Sequence, residues 1–183
     1  MRKYLLAFIL VTFTQTGVLA NNQVVDQQWN LELSKTLEKN AFKTISNTTF
    51  SFLFWDLYQS RLLSTSGQFP LLTDDEKLLY EIEYFKAISA ESLVEKTVEQ
   101  WQHLGYVPSR YKPYLNKLKR IWPDIKSGDK LTFVMNNIST AFYHNKRLVG
   151  VIDDIEFGPL FLDIWLSEKT SEPELRQELL GRK

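Results

Sequence analysis

Ser127-Gly128-Asp129-Lys130-Leu131-Thr132-Phe133, then Ala141-Phe142-Tyr143-His144-Asn145, then Ile164-Trp165-Leu166-Ser167: this stretch, running on to Gly181, decides the fold. Gly128-Asp129 is a turn signal. Beyond it Leu131, Phe133 and Met135 alternate along one face of a strand. Ala141 to His144 pairs with that strand, and Leu148 to Ile152 follows a turn at Asn145-Lys146-Arg147. Short runs at this spacing predict consecutive antiparallel strands. Asp153 or Asp154 then caps a helix that carries Phe157, Leu160, Phe161 and Ile164 on one face. Ser171 to Glu174 reads as a capping box with Pro173 in the first turn, opening a last helix that ends at Gly181.

Working back from there, Pro123 stops a helix over Ser109 to Trp122, whose Tyr111, Leu115, Leu118 and Trp122 share a face. Its Lys112, Lys117, Lys119 and Arg120 lie mostly away from that face, as a solvated surface rather than a docking site. Ser89 begins an earlier helix with Leu93, Thr97, Trp101 and Leu104 inward, and Gly105 ends it. Lys77 to Lys86 alternates as a strand, with Leu78, Tyr80, Ile82 and Tyr84 on one face and Leu79, Glu81, Glu83 and Phe85 on the other. Thr48 to Thr65 reads as one long central strand, apolar on both faces in its first half. Phe50, Phe52, Phe54, Asp56 and Tyr58 point one way, and Leu53, Trp55, Leu57, Arg61 and Leu63 the other. Asp56 needs a partner there, and Arg61 and Lys43 are the candidates; a structural ion pair is the simpler reading than catalysis. Trp29, Leu31 and Leu33 alternate as a first strand, which Phe42 to Ile45 continues after a break. No repeat and no linker interrupts the chain, so a single α+β domain is expected over residues 21–183.

Composition bounds the function. The chain has 183 residues, 44% hydrophobic and 14% aromatic, which predicts a core or pocket built from large rings. Its 22 basic and 22 acidic residues balance, so nothing points to nucleic acid or an anionic membrane as partner. Arg2 and Lys3, an apolar run from Tyr4 to Phe13 and the small-residue site Val18-Leu19-Ala20 read as a signal peptide cut after Ala20. The run is short for a bilayer span, so no integral span is expected after cleavage. With no cysteine there is no disulfide, and an exported chain of this kind suits a bacterial periplasm better than a disulfide-rich secreted scaffold.

Catalytic patterns are missing. The two histidines, His103 and His144, form no metal motif. There is no nucleophile elbow, P-loop or dinucleotide glycine motif, and seven glycines leave little for phosphate cradles. No metal and no cofactor is expected.

Three stretches nevertheless stand out: Phe54-Trp55-Asp56-Leu57-Tyr58-Gln59-Ser60-Arg61-Leu62, the helix from Leu93 to Trp101-Gln102-His103-Leu104-Gly105, and the opening stretch with Gly128-Asp129, Ala141 to Asn145, Gly150 and the tail from Trp165 to Leu180. In this order and spacing they resemble one family, the chalcone isomerase-like superfamily in its small exported bacterial branch. The resemblance covers nearly all of the chain beyond the leader. It implies an open-faced β-sandwich: a curved antiparallel sheet covered by a layer of helices. Plant members cyclise chalcones, and related members bind fatty acids between sheet and helices. The plant site uses an early Arg, a Thr on the aromatic strand, a Tyr and an Asn around the first helix, and a Ser or Thr before the last. Those positions fall here near Leu53, Ser89, Lys96 and Thr170 (or Ser171), with Lys43 the nearest basic residue to the missing Arg. Without that network the charge on phenolate and enolate goes unstabilised, so chalcone cyclisation is not expected. The expectation is a non-catalytic protein binding an apolar or amphipathic ligand such as a fatty acid. Phe50, Phe52, Phe54, Trp55, Tyr58, Trp101 and Thr170 are candidate cleft residues, and Lys43 or Arg61 would meet a carboxylate. Two alternatives remain open: an isomerase or lyase using Tyr58, Asp56 or His144, and a structural protein whose cleft is filled by its own side chains.

Overall fold

The computed structural model describes residues 29–182 apart from 53 and 54, and of Phe52, Trp55 and Asp56 the backbone alone. The expected leader, Leu53 and Phe54, and the side chains of Phe52, Trp55 and Asp56 therefore lie outside the described residues.

Hydrophobic alternation sets the strands. Among the described residues they are β1 (Lys43–Phe52), β2 (Trp55–Ser64), β3 (Leu78–Tyr84), β4 (Lys130–Met135), β5 (Thr140–His144) and β6 (Arg147–Ile152). They form one sheet in the order β1-β2-β3-β4-β5-β6, each pair antiparallel. Sequential hairpin order of this kind needs only short connections. The β5–β6 turn is made by Asn145 and Lys146, both at positive φ (46° and 75°), the backbone of a tight two-residue hairpin loop.

The run from Thr48 to Thr65 is not one strand. It folds back, so that Phe50 faces Tyr58 and Phe52 faces Trp55 across a hairpin. No Gly or Pro separates the two arms, and apolar residues recur on both, so the alternation reads on without a break. The cross-strand ring pair Phe50–Tyr58, centroids 5.1 Å apart, helps hold the arms together. The expected first strand is also corrected. Leu33–Lys39 is a helix, α1, which buries Leu33 and Thr36 one turn apart. Leu31 is 77% exposed, so the three-residue alternation was too short a sample to separate the two periods. A remnant of strand pairing survives where the Leu148 amide donates to the Leu31 carbonyl at the β6 edge.

Four further helices cover one face of the sheet: α2 (Ala90–His103), α3 (Pro108–Ile121), α4 (Phe157–Leu166) and α5 (Pro173–Leu179). Ser89 caps α2 by accepting from the Ser92 amide, and Gly105 leaves it at φ +80°. The cap of α4 differs from expectation: Glu156 is the N-cap residue, and Asp154 accepts from the Glu156 amide one step earlier. The expected capping box at α5 does not form, because the Ser171 hydroxyl donates to Gln100 Oε1 on α2 instead. α5 lies along β1, where the Ser46 hydroxyl donates to the Leu179 carbonyl at 2.7 Å and Thr48 donates to Glu178. The opposite face of the sheet carries a smaller core of Trp29, Leu33, Leu63, Leu79, Val134, Ala141 and Tyr143, under α1. There the Trp29 indole donates to Ser139 Oγ at 3.0 Å.

Candidate functional site

Strand alternation sends Phe50, Tyr58, Ile82, Tyr84, Leu131, Phe133 and Phe142 toward the helices. Between them and α2, α4 and the Ser171-Glu172 turn the layers do not close. A cavity of about 420 Å³ remains, walled almost entirely by apolar atoms. That volume lies within the ordinary range for small-molecule sites.

The inner end is a nest of buried rings. Trp122, Phe133 and Phe142 surround Phe161 at centroid distances of 5.7, 5.1 and 5.5 Å. Among the described residues Trp122 Nε1 is buried with no hydrogen-bond partner, and its ring stands at 75° to Phe142. The polar groups gather at the other end. Lys86, just past β3, and Lys96, on α2, are exposed, while Gln100, Ser171 and Glu172 are half-buried. These therefore form the mouth.

Tyr58 stands in the wall between the rings of Phe50 and Tyr84, and its hydroxyl accepts from Trp165 Nε1 at 3.2 Å. Burial pushes its phenol up to about 12; the Trp165 bond pulls the other way and the Glu172 charge adds to the rise. Burial also raises Tyr80 and Tyr84 above the ordinary range. The cleft tyrosines are therefore neutral near pH 7, able to donate a hydrogen bond but not to act as bases.

Of the residues expected in the cleft, Tyr58 and Phe50 line it. Phe54 and the side chains of Phe52 and Trp55 fall outside what is described. The others are elsewhere. Arg61 projects from the opposite face, where Nε and Nη2 donate to Glu81 Oε1 at 3.1 and 2.8 Å. Thr132 holds the other oxygen of that carboxylate. Lys43 opens β1 opposite Ser64, with its stem against Gly67. Trp101 is a core residue, stacked on Tyr111 at 5.4 Å, with its indole donating to the Leu160 carbonyl. Thr170 turns inward to donate to the Ile164 carbonyl. Each is corrected for a recognisable reason: parity for Arg61, position at the strand end for Lys43, and an available backbone carbonyl for Trp101 and Thr170.

His144 does not line the cavity, although its cross-strand partner Leu131 does. It meets Asp129 at 3.0 Å in a clasp that joins two turns, and Asn145 donates to the same carboxylate. The Asn145 bond, the Lys126 amide and the His144 contact together hold Asp129 down at about 2. Among the described residues no group of acidic or histidine side chains could hold a metal ion.

Sequence reasoning missed Lys86, Gln100, Trp165 and Glu172 as cleft residues. Lys96 and Ser171 were noted as positions where plant active-site groups would fall, Ser171 also as a helix cap, and both line the cavity. Ser89, another such position, is instead the cap of α2. A helical signal existed for Gln100, which lies one turn beyond the inward Leu93 and Thr97.

An open antiparallel sheet with a helical layer on one face and an apolar cavity between them defines the class: an α+β protein with an apolar cleft. The family follows from comparison. A family model described as chalcone isomerase-like matches residues 51–181, and the chain belongs to that family. No curated protein matches the sequence. Among solved structures, the fatty-acid binding protein AtFAP1 of Arabidopsis thaliana is similar, with a TM-score of 0.54 and 10% identity. The likeness covers 76% of this chain and 84% of that one, and at such identity it is a likeness of fold.

Proposed function

We propose that this protein is a non-catalytic binding protein that takes an apolar or amphipathic ligand such as a fatty acid into the cleft between sheet and helices. We place it in the periplasm or outside the cell, after removal of residues 1–20. The observation that carries the reading is the apolar cavity of about 420 Å³. A space of that size in a small domain leaves many wall atoms without contact partners, a cost that an apolar occupant removes. The cavity also argues against a cleft filled by its own side chains.

Catalysis of the plant type lacks support in the wall. Cyclisation of a chalcone needs fixed positive groups where phenolate and enolate charge develops. The inner wall offers rings and one neutral indole, and the Tyr58 phenol at about 12 gives up no proton near neutral pH. The fold relationship to a protein described as fatty-acid binding supports the choice of ligand class.

The test is to purify the full-length protein from its export compartment, extract it with organic solvent and identify what it carried by mass spectrometry. A fatty acid or similar amphiphile at near-stoichiometric amount is expected. Protein that arrives empty and binds no labelled fatty acid in solution overturns the reading. Amino-terminal sequencing of the same sample tests the address, with Asn21 expected first.

A further inference from the structure

The cleft has a polarity. Every cation among its described wall residues is at the mouth, and the inner end is walled by Trp122, Phe133, Phe142 and Phe161. A carboxylate driven to the inner end would lose its hydration against rings. That exchange is strongly unfavourable for a charge. At the mouth a carboxylate keeps water and meets Lys96, whose exposed ammonium pairs with the exposed Glu99 one turn on, at 2.7 Å. Pairs of that kind are weak and exchange readily. Lys86 borders the same opening from the end of β3. Glu172 faces it with the opposite sign, close enough to raise the Tyr58 phenol.

We propose, building on the binding function above, that the cleft selects anionic single-chain amphiphiles and holds them tail-in, with the acid group at the mouth beside Lys96 and Lys86 and opposed by Glu172. The acid group is thus read by exposed charge at the rim, and the chain by the ring nest. Lys96 is the specificity-determining residue, and Glu172 sets an upper limit on affinity for the anion.

The experiment is displacement of the neutral fluorophore N-phenyl-1-naphthylamine from the full chain by laurate and, separately, by dodecanol. Lys96→Gln should weaken laurate by about fivefold, the size of one exposed charge contact. Glu172→Gln should tighten laurate by about threefold on the same grounds. Dodecanol should change less than about twofold in either variant, since it carries no charge to sense them. Rising sodium chloride should weaken laurate and spare dodecanol, because a rim contact is screened while a buried one is not. Laurate and dodecanol responding alike to both substitutions and to salt would overturn the rim assignment and leave the binding function standing. If neither ligand displaces the probe, the binding function itself fails.

Discussion

Arg61 and Lys96 carry the same charge, and the side of the sheet on which each lies separates their roles. On β2, Arg61 differs in parity from Tyr58, so the strand turns it to the face away from the cleft. There it neutralises Glu81, a nearly buried carboxylate on β3 that Thr132 also binds. Arg61→Met should cost about 1–3 kcal/mol in urea unfolding, because the acid is then left to the longer Lys130 contact at 3.5 Å and to Thr132. It should leave fatty-acid affinity unchanged; a loss of affinity at unchanged stability would return Arg61 to the cleft. This separation was legible, since alternation alone puts Tyr58 and Arg61 on opposite faces and no single cleft holds both. Lys96 was harder to read, because a lysine on an exposed helix flank has the same pattern whether or not a cavity opens beside it. Asp129 gives a second expectation at this scale. Folding lowers its pKa from the ordinary 3.8 to about 2. The clasp therefore stabilises the fold above the ordinary carboxylate range and loses that contribution as pH falls toward 2. The stability gap between the native protein and Asp129→Ala, measured by urea unfolding, should be larger near pH 5 than near pH 2.5. A gap that is constant with pH would mean the carboxylate charge contributes nothing.

Elements were legible where their periods ran long. α2 was readable from its Ser89 cap to its Gly105 exit, and β3 to β6 were readable from alternation and turn residues. The hairpin of β1 and β2 was hidden because the sequence between the two strands is apolar, with none of the Gly, Asn or Asp that announce a reversal. α1 was hidden because Trp29, Leu31 and Leu33 fit a period of two, and Trp29 packs ahead of the helix rather than in it. One junction between elements makes a sharp demand on sequence. A Cβ at Gly150 on β6 would stand 2.5 Å from Ile121 Cγ2, so α3 closes onto the sheet only over a glycine. Gly150→Ala should lower stability by about 1–3 kcal/mol, the usual cost of overpacking. Pairing it with Ile121→Ala should return part of that loss in a double-mutant cycle; two simply additive losses would show that the Ile121 branch beyond Cβ is not the obstacle.

At the scale of the whole molecule, the sheet, the hairpin order and the helical layer follow from patterns a sequence carries, whereas the cleft does not. A cavity arises where helices stop short of closing on a sheet, and the same apolar residues would be written for a filled core. That is why Trp101 was taken for a cleft residue while Trp165, which touches both Tyr58 and Phe161, was overlooked. It also makes the cleft separable from the fold in an experiment. A ligand that binds only the folded state at a hundred times its Kd adds about 2.7 kcal/mol. For a domain of this size that raises the Tm by roughly 5–10 °C. Thr97, on the inward face of α2, lines the cavity and donates its hydroxyl to the Leu93 carbonyl of its own helix. Thr97→Phe should occupy the cleft with a ring, so the unliganded protein keeps a cooperative transition while the gain in Tm on adding laurate disappears. Scanning calorimetry of both proteins with and without laurate decides the matter. An undiminished gain in the variant would place the ligand outside this cavity, because a chain and a new ring cannot share the same space.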